Sequence, residues 1–334
     1  MLLKFKRHIR LLSFLFFIVF IISGWFYYQS ELLKQSADNL LKEGKAAEAI
    51  ELYNKAQSTF PLRFDILDDI DGAKLILDSN RYYGQVVDFY EFQQLPPLSN
   101  LPSVRLNPNE LFVPILMYHQ IRINTNPSDP VVSALTVSPE QLEQQLSFLN
   151  SHNFQTITLD ELSTALEGKT SLPKNPIILT FDDGYRNFYE NAFPLLKKYD
   201  AKAVQFVITG VVDRQPYLTW SQIMEMDKSG LIEFGAHTRH HPNLPDIPRA
   251  TIVDEIKGSK LDLEQHLKKR VNWFAYPYGS YSEFIMQTVR DAGFKGAAST
   301  VYGTAQSKNT LYLFPRIMVD GRFTLDNLTR RIEK

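Results

Sequence analysis

The stretch Pro176-Ile-Ile-Leu-Thr-Phe-Asp-Asp-Gly-Tyr185 decides how the rest of the chain is read. Its apolar, partly β-branched run from Pro176 to Phe181 has the composition of a buried strand. The run stops at two adjacent carboxylates, Asp182 and Asp183, and then Gly184. Asp and Gly are turn residues, and Asp often caps a following helix, so a simple turn is one reading. Two neighbouring carboxylates repel, however, unless a cation or a proton lies between them. The other reading gives one carboxylate to a metal and leaves its neighbour free to accept a proton.

Similar short apolar runs recur on both sides. Candidate strands are Val113–Tyr118, Gln155–Leu159, Pro176–Phe181, Ala203–Ile208, Ile232–Ala236, Asn272–Tyr276, Phe294–Ser299 and Leu313–Val319. Helical segments separate most of them and begin with capping boxes at Ser138/Gln141, Thr158/Glu161 and Thr219/Gln222. Strand–helix alternation across 113–334 predicts an α/β fold with parallel strands, a (β/α) barrel of seven or eight strands. An open doubly wound sheet is the alternative, but no Gly-x-Gly-x-x-Gly opens a helix.

In such a barrel, functional groups project from the C-terminal ends of strands. A second strand end, Glu233-Phe-Gly-Ala-His-Thr-Arg-His-His-Pro242, holds three of the chain's seven histidines. If 237–241 turns helically, His237 and His241 share a face and reach one ion, while His240 points away. A polar loop that merely holds histidines is the plainer reading. Asp183, His237 and His241 together make a two-His, one-carboxylate set, which leaves a position open for water or substrate. Zinc is the first choice for such donors, with cobalt, nickel or manganese also fitting. A third strand end, Tyr276-Pro-Tyr-Gly279, bends among aromatic residues and offers backbone N–H groups for an oxyanion. Aromatic packing at a barrel rim is the plainer reading of it.

These motifs resemble the polysaccharide deacetylase family, also called NodB-homology or carbohydrate esterase family 4, across roughly 113–320. Thr180–Gly184 matches its first motif, His237–His241 with Pro242 its second, and Tyr276–Gly279 its third. The resemblance implies a distorted (β/α) barrel that removes N-acetyl groups from sugars with a divalent metal. By matched position, Asp182 is the general base, Asp183, His237 and His241 hold the metal, and the Tyr278 N–H supports the oxyanion. Two positions depart from the family pattern. Ala275 stands where an arginine usually orients the catalytic Asp, and Arg316 is a candidate replacement from another strand end. The family's late histidine has no counterpart. His119, at the end of Pro114-Ile-Leu-Met-Tyr118, is a candidate acid or substrate-site residue. These departures are most similar to the branch acting on poly-β-1,6-N-acetylglucosamine, with peptidoglycan deacetylases next. A deacetylase-like glycan-binding or scaffolding protein without activity is the competing class.

The remaining chain sets the context. Residues 1–10 carry four cations and no acid, against a net charge of −1 for all 334 residues. The uncharged Leu11–Tyr28 follows and ends in Trp25, Phe26, Tyr27 and Tyr28. That length spans a bilayer, so 1–29 reads as a basic tip and transmembrane anchor, with residues 9–28 in the membrane. The lysines and arginines then stay cytoplasmic, and the catalytic domain lies outside the cell. A cleaved signal peptide is the alternative. Residues 30–94 read as a helical, tetratricopeptide-like spacer, or as a docking segment for a protein partner through 31–94. Residues 95–112 are proline-rich and read as a linker before the 113–334 domain. With 36 basic against 37 acidic residues, nothing points to nucleic acid, and the absence of cysteine excludes a thiolate nucleophile or ligand.

Overall fold

The computed structural model describes residues 23–41, 45–61, 63, 66, 70 and 109–333. The chain divides into two compact units, 1–77 and 78–334. In the first, a helix over 23–41 and the helix Ala46–Thr59 bury Ala37, Leu41, Ala49, Tyr53 and Ala56. Ser30 Oγ donates to the Ala56 carbonyl at 2.9 Å, and Arg63 pairs with Glu31 at 2.7 Å. Most of the expected anchor, and most of 62–94 and of the linker, lie outside the described residues. Among the described residues, no helix is long and apolar enough to cross a membrane.

The second unit is built on a closed ring of seven parallel strands: β1 (Ile115–Tyr118), β2 (Pro176–Phe181), β3 (Ala203–Val207), β4 (Ile232–Ala236), β5 (Trp273–Ala275), β6 (Gly296–Tyr302) and β7 (Phe314–Met318). Neighbours in sequence pair in order around the ring. The seam closes where Leu116 of β1 meets Ile317 of β7. The (β/α) barrel is therefore present, with seven strands rather than eight. The eighth expected strand contributes only Gln155–Thr156, which lies outside the ring against the start of β2. Its extension is blocked because Thr158 is the N-cap of helix Leu159–Leu166, so the chain must leave the sheet there. The expected linker end also has structure: Leu111–Phe112 pairs antiparallel with Ala305–Gln306.

Every residue of β2 is buried, as expected for a strand covered on both faces. Alternate side chains go to two different cores. Ile177, Leu179 and Phe181 join Leu116, Tyr118 and Phe274 in the layer under the helices. Ile178 joins Ile115, Val204, Phe206, Trp273, Ala275 and Phe314 in the other core, inside the ring. The two-residue period of a strand carries this inward set upward. It places His119 after Ile115, Thr180 and Asp182 after Ile178, His237 after Glu233, and Arg316 after Phe314, all at the C-terminal mouth. The three capping boxes form as read, each with both reciprocal hydrogen bonds.

Candidate active site

Asp182 and Asp183 diverge directly after β2. The Asp182 backbone N–H donates to the Tyr118 carbonyl at 2.9 Å, continuing the sheet one residue further. Asp183 then takes a left-handed conformation, φ 75°, which turns its carboxylate away from its neighbour's. Positive φ is uncommon for residues other than glycine, and it recurs here at Thr238 (62°), His241 (55°) and Tyr278 (60°). Such conformations cost on the order of 1–3 kcal/mol each and collect at functional sites.

Asp183, His237 and His241 converge. Asp183 Oδ1 lies 3.4 Å from His237 Nε2 and 3.5 Å from His241 Nε2, and the two Nε2 atoms are 3.2 Å apart. All three residues are buried, and Asp183 Oδ1 receives no hydrogen bond of normal geometry. A tetrahedral site with zinc-type bonds of about 2.0–2.2 Å has ligand-to-ligand edges of roughly 3.3–3.5 Å. The triangle matches that spacing, so the residues fit a divalent ion. His237 Nδ1 lies 2.9 Å from the Ala275 carbonyl, which places the ring proton on Nδ1 and leaves Nε2 a lone pair for a ligand bond. Burial, with His237 nearby, pushes the His241 imidazole down to about 3, so it stays neutral as a metal ligand must. Burial works against the Asp183 carboxylate, but the two histidines outweigh it and hold the group well below the usual range. The 237–241 stretch is a bent loop rather than the helical turn expected, because Thr238 and His241 are left-handed. The convergence survives through a different backbone path.

Asp182 faces the same mouth from the other side. Arg316 donates Nη1 to Asp182 Oδ1 and Nη2 to Oδ2, both at 2.8 Å, the two-pronged geometry that a guanidinium makes with a carboxylate. The guanidinium is itself fixed, with Nη1 donating to Thr180 Oγ1 at 3.0 Å and Nε to the Ser299 carbonyl at 2.8 Å. Burial raises the Asp182 carboxyl, but Arg316 outweighs it and the net direction is down. His119 is buried in the same mouth. Burial lowers its imidazole despite the two aspartates, so it is uncharged at neutral pH. Tyr278 occupies the turn Pro277–Gly279, and its ring meets that of His241 edge-on at 4.4 Å. Gly279 has φ 68°, and a side-chain carbon there would fall 1.9 Å from Thr300 Oγ1, so the turn accepts only glycine.

The structure thus brings Asp182, Asp183, His119, His237, His241, Arg316 and Tyr278 to one end of the ring. His240 leaves the set and faces Glu255 at 2.7 Å. His266 also stays apart, stacked on Trp220 at 3.6 Å. Sequence reading missed Thr180, Ser299 and Ala275 as supports, because two of the three act through backbone carbonyls that no side chain advertises. It also missed that Tyr185 and Tyr217 are buried and stacked at 5.2 Å beside the aspartates. Trp273 is sealed inside the ring with its indole N–H on Glu233. Tyr281 is 41% exposed and does reach solvent.

The family model for polysaccharide deacetylases matches residues 169–297, the span that carries all three motifs. A poly-β-1,6-N-acetyl-D-glucosamine N-deacetylase of Staphylococcus aureus is 30% identical over 239 residues, covering 65% of this chain and 82% of that protein. The chain belongs to the polysaccharide deacetylase family. Among solved structures, the Streptococcus pyogenes deacetylase PplD in complex with acetate superposes with a TM-score of 0.63 at 32% identity, over 67% of this chain and all of that one. IcaB from Ammonifex degensii gives 0.58 at 26% identity, over 66% of this chain and 96% of that one. The deacetylase reading of the sequence is therefore upheld, and this chain is an enzyme of that family.

Proposed function

We propose that this deacetylase uses a divalent metal to remove acetyl groups from N-acetylglucosamine residues of an extracellular polysaccharide. Poly-β-1,6-N-acetylglucosamine is the favoured polymer, in line with the name of the staphylococcal relative, and peptidoglycan is next. The observation that carries the reading is the pairing of an Arg316-held Asp182 with the open Asp183–His237–His241 triangle. Zinc suits two imidazoles and a carboxylate, and cobalt, nickel or manganese fit the same donors.

When bound, the ion supplies Lewis-acid polarisation of the acetamide carbonyl and lowers the pKa of nearby water. The protein's own groups do the rest. Asp182 is ionised at neutral pH and accepts the proton of the attacking water as the new C–O bond forms. Arg316 keeps that carboxylate in place and charged. The Tyr278 backbone N–H serves the developing oxyanion. The C–N bond then breaks and the proton passes to the sugar nitrogen, leaving acetate and a free amine. His119 starts neutral, so it acts as the donor only after receiving a proton during the cycle.

The basic tip and the uncharged Leu11–Tyr28 run support an anchor with its N-terminus in the cytoplasm and the enzyme outside. The paired helices of the first unit suit a spacer or a protein-docking element. Acetate release from β-1,6-linked N-acetylglucosamine oligomers, set against peptidoglycan fragments, tests the substrate. Release from the former at the greater rate is expected, and no release from either with metal supplied overturns the proposal.

A further inference from the structure

Glu255 lies in helix Arg249–Leu267, away from the three ligand residues, and none of the motifs contains it. Its carboxylate is 5% exposed. One oxygen accepts the backbone N–H of Arg239 at 2.8 Å and that of His240 at 2.9 Å. The other lies 2.7 Å from His240 Nδ1. Both backbone donors belong to the short link between the two ligand histidines. That link runs between left-handed Thr238 and left-handed His241, conformations uncommon outside glycine and a marked outlier for β-branched Thr238. Two successive N–H groups aimed at one point form a concavity that attracts an anion. Here the chain fills it with its own carboxylate. Behind the link, Gly210 donates its N–H to the Arg239 carbonyl at 2.8 Å, and a side chain on Gly210 would come within 2.6 Å of that oxygen. The link is therefore pinned from both sides.

We infer that Glu255 is a positioning residue for the metal site: by holding the 239–240 backbone it sets the separation of His237 and His241. The inference rests on the metal-dependent reading above. Glu255 acts through the 239–240 backbone, so its effect is on how well the triangle is formed before the ion arrives. Outer contacts that orient ligands are worth about 10- to 100-fold in metal affinity.

The test measures cobalt binding to the metal-stripped full chain by calorimetry and by the visible absorption of the bound ion. Glu255→Leu removes the oxygen that accepts both backbone N–H groups. It should weaken cobalt binding at least tenfold and broaden the absorption band, while kcat at saturating metal changes far less. Glu255→Asp keeps the charge, shortens the reach and should give an intermediate loss. Asp254→Asn, at the exposed side of Arg239, should bind as the unaltered protein does. Hydrogen exchange on the unaltered, metal-free protein gives an independent readout, with the Arg239 and His240 amides expected to be protected. Unchanged cobalt affinity in a folded Glu255 variant overturns the inference, and so does rapid exchange of those two amides. If the unaltered chain itself binds no divalent ion, the functional reading fails instead.

Discussion

Arg316 and Asp182 are 134 residues apart in sequence and meet through two parallel 2.8 Å hydrogen bonds inside the barrel mouth. The arginine comes from β7 and the aspartate from the end of β2, with β1 between them in the ring. The guanidinium absent from position 275 is thus supplied from a different strand, two residues nearer the mouth than Phe314, which is level with Ala275 through Ala298.

Asp182→Asn keeps the shape of the side chain and removes the base. Acetate release should fall by about 10²–10⁴-fold, the usual contribution of such a group. Metal content, measured on the purified variant, should stay at the unaltered level because Asp183 and both histidines are untouched. Near-normal turnover would show that another group takes the proton.

Arg316→Ala leaves the buried Asp182 carboxylate without its counter-charge. Loss of one partner of a buried pair costs about 3–5 kcal/mol, so the urea midpoint should drop together with activity. Arg316→Lys keeps the charge but not the two-pronged grip. It should recover much of the stability and little of kcat.

The pH response follows from Asp182. Burial raises its carboxyl, Arg316 outweighs burial, and the folded value lies below the ordinary 3.8. A depressed carboxylate adds stability that is complete above the unfolded value and is lost as pH falls through the folded one. Urea unfolding should therefore show this contribution intact from neutral pH down to about 4 and failing below it. Asp182→Asn should flatten that acid-side decline. Any limb in kcat/KM between about pH 5 and 8 belongs to a different group.

Chelation should abolish acetate release, and zinc or cobalt added back should restore it. Activity that survives exhaustive chelation, checked by elemental analysis of the stripped protein, would remove the metal from the reaction.

His119→Ala separates a proton-relay role from a lining role. A relay predicts a fall in kcat of about 10²-fold or more with little change in KM. A lining residue predicts the reverse split.

Much of this was readable from residues alone. The strand ends were legible because each apolar run stops at a polar or bending motif, and the capping boxes located the helices between them. The strand count was legible only as seven or eight, since Gln155–Leu159 has strand-like composition and only the cap at Thr158 shortens it. Asp183, His237 and His241 were legible as donors, but the helical spacing argument for 237–241 reached them by the wrong backbone path. Supports such as the Ala275 and Ser299 carbonyls left no trace, because every residue has a carbonyl and only the fold selects which one matters. Glu255 was equally silent, one acid among many on a helix of mixed charge.

The seam between β1 and β7 also bears on the order in which the mouth is assembled. A nascent chain that has emerged only as far as residue 310 already carries Asp182, Asp183, His237 and His241, yet neither the seventh strand nor the guanidinium of Arg316 exists. Ring closure joins the first and last strands of the unit, a long-range step that comes late in assembly. Synthesis thus delivers Asp182, Asp183, His237 and His241 first and Arg316 last, so a product truncated before β7 lacks both the closed ring and the guanidinium that holds Asp182.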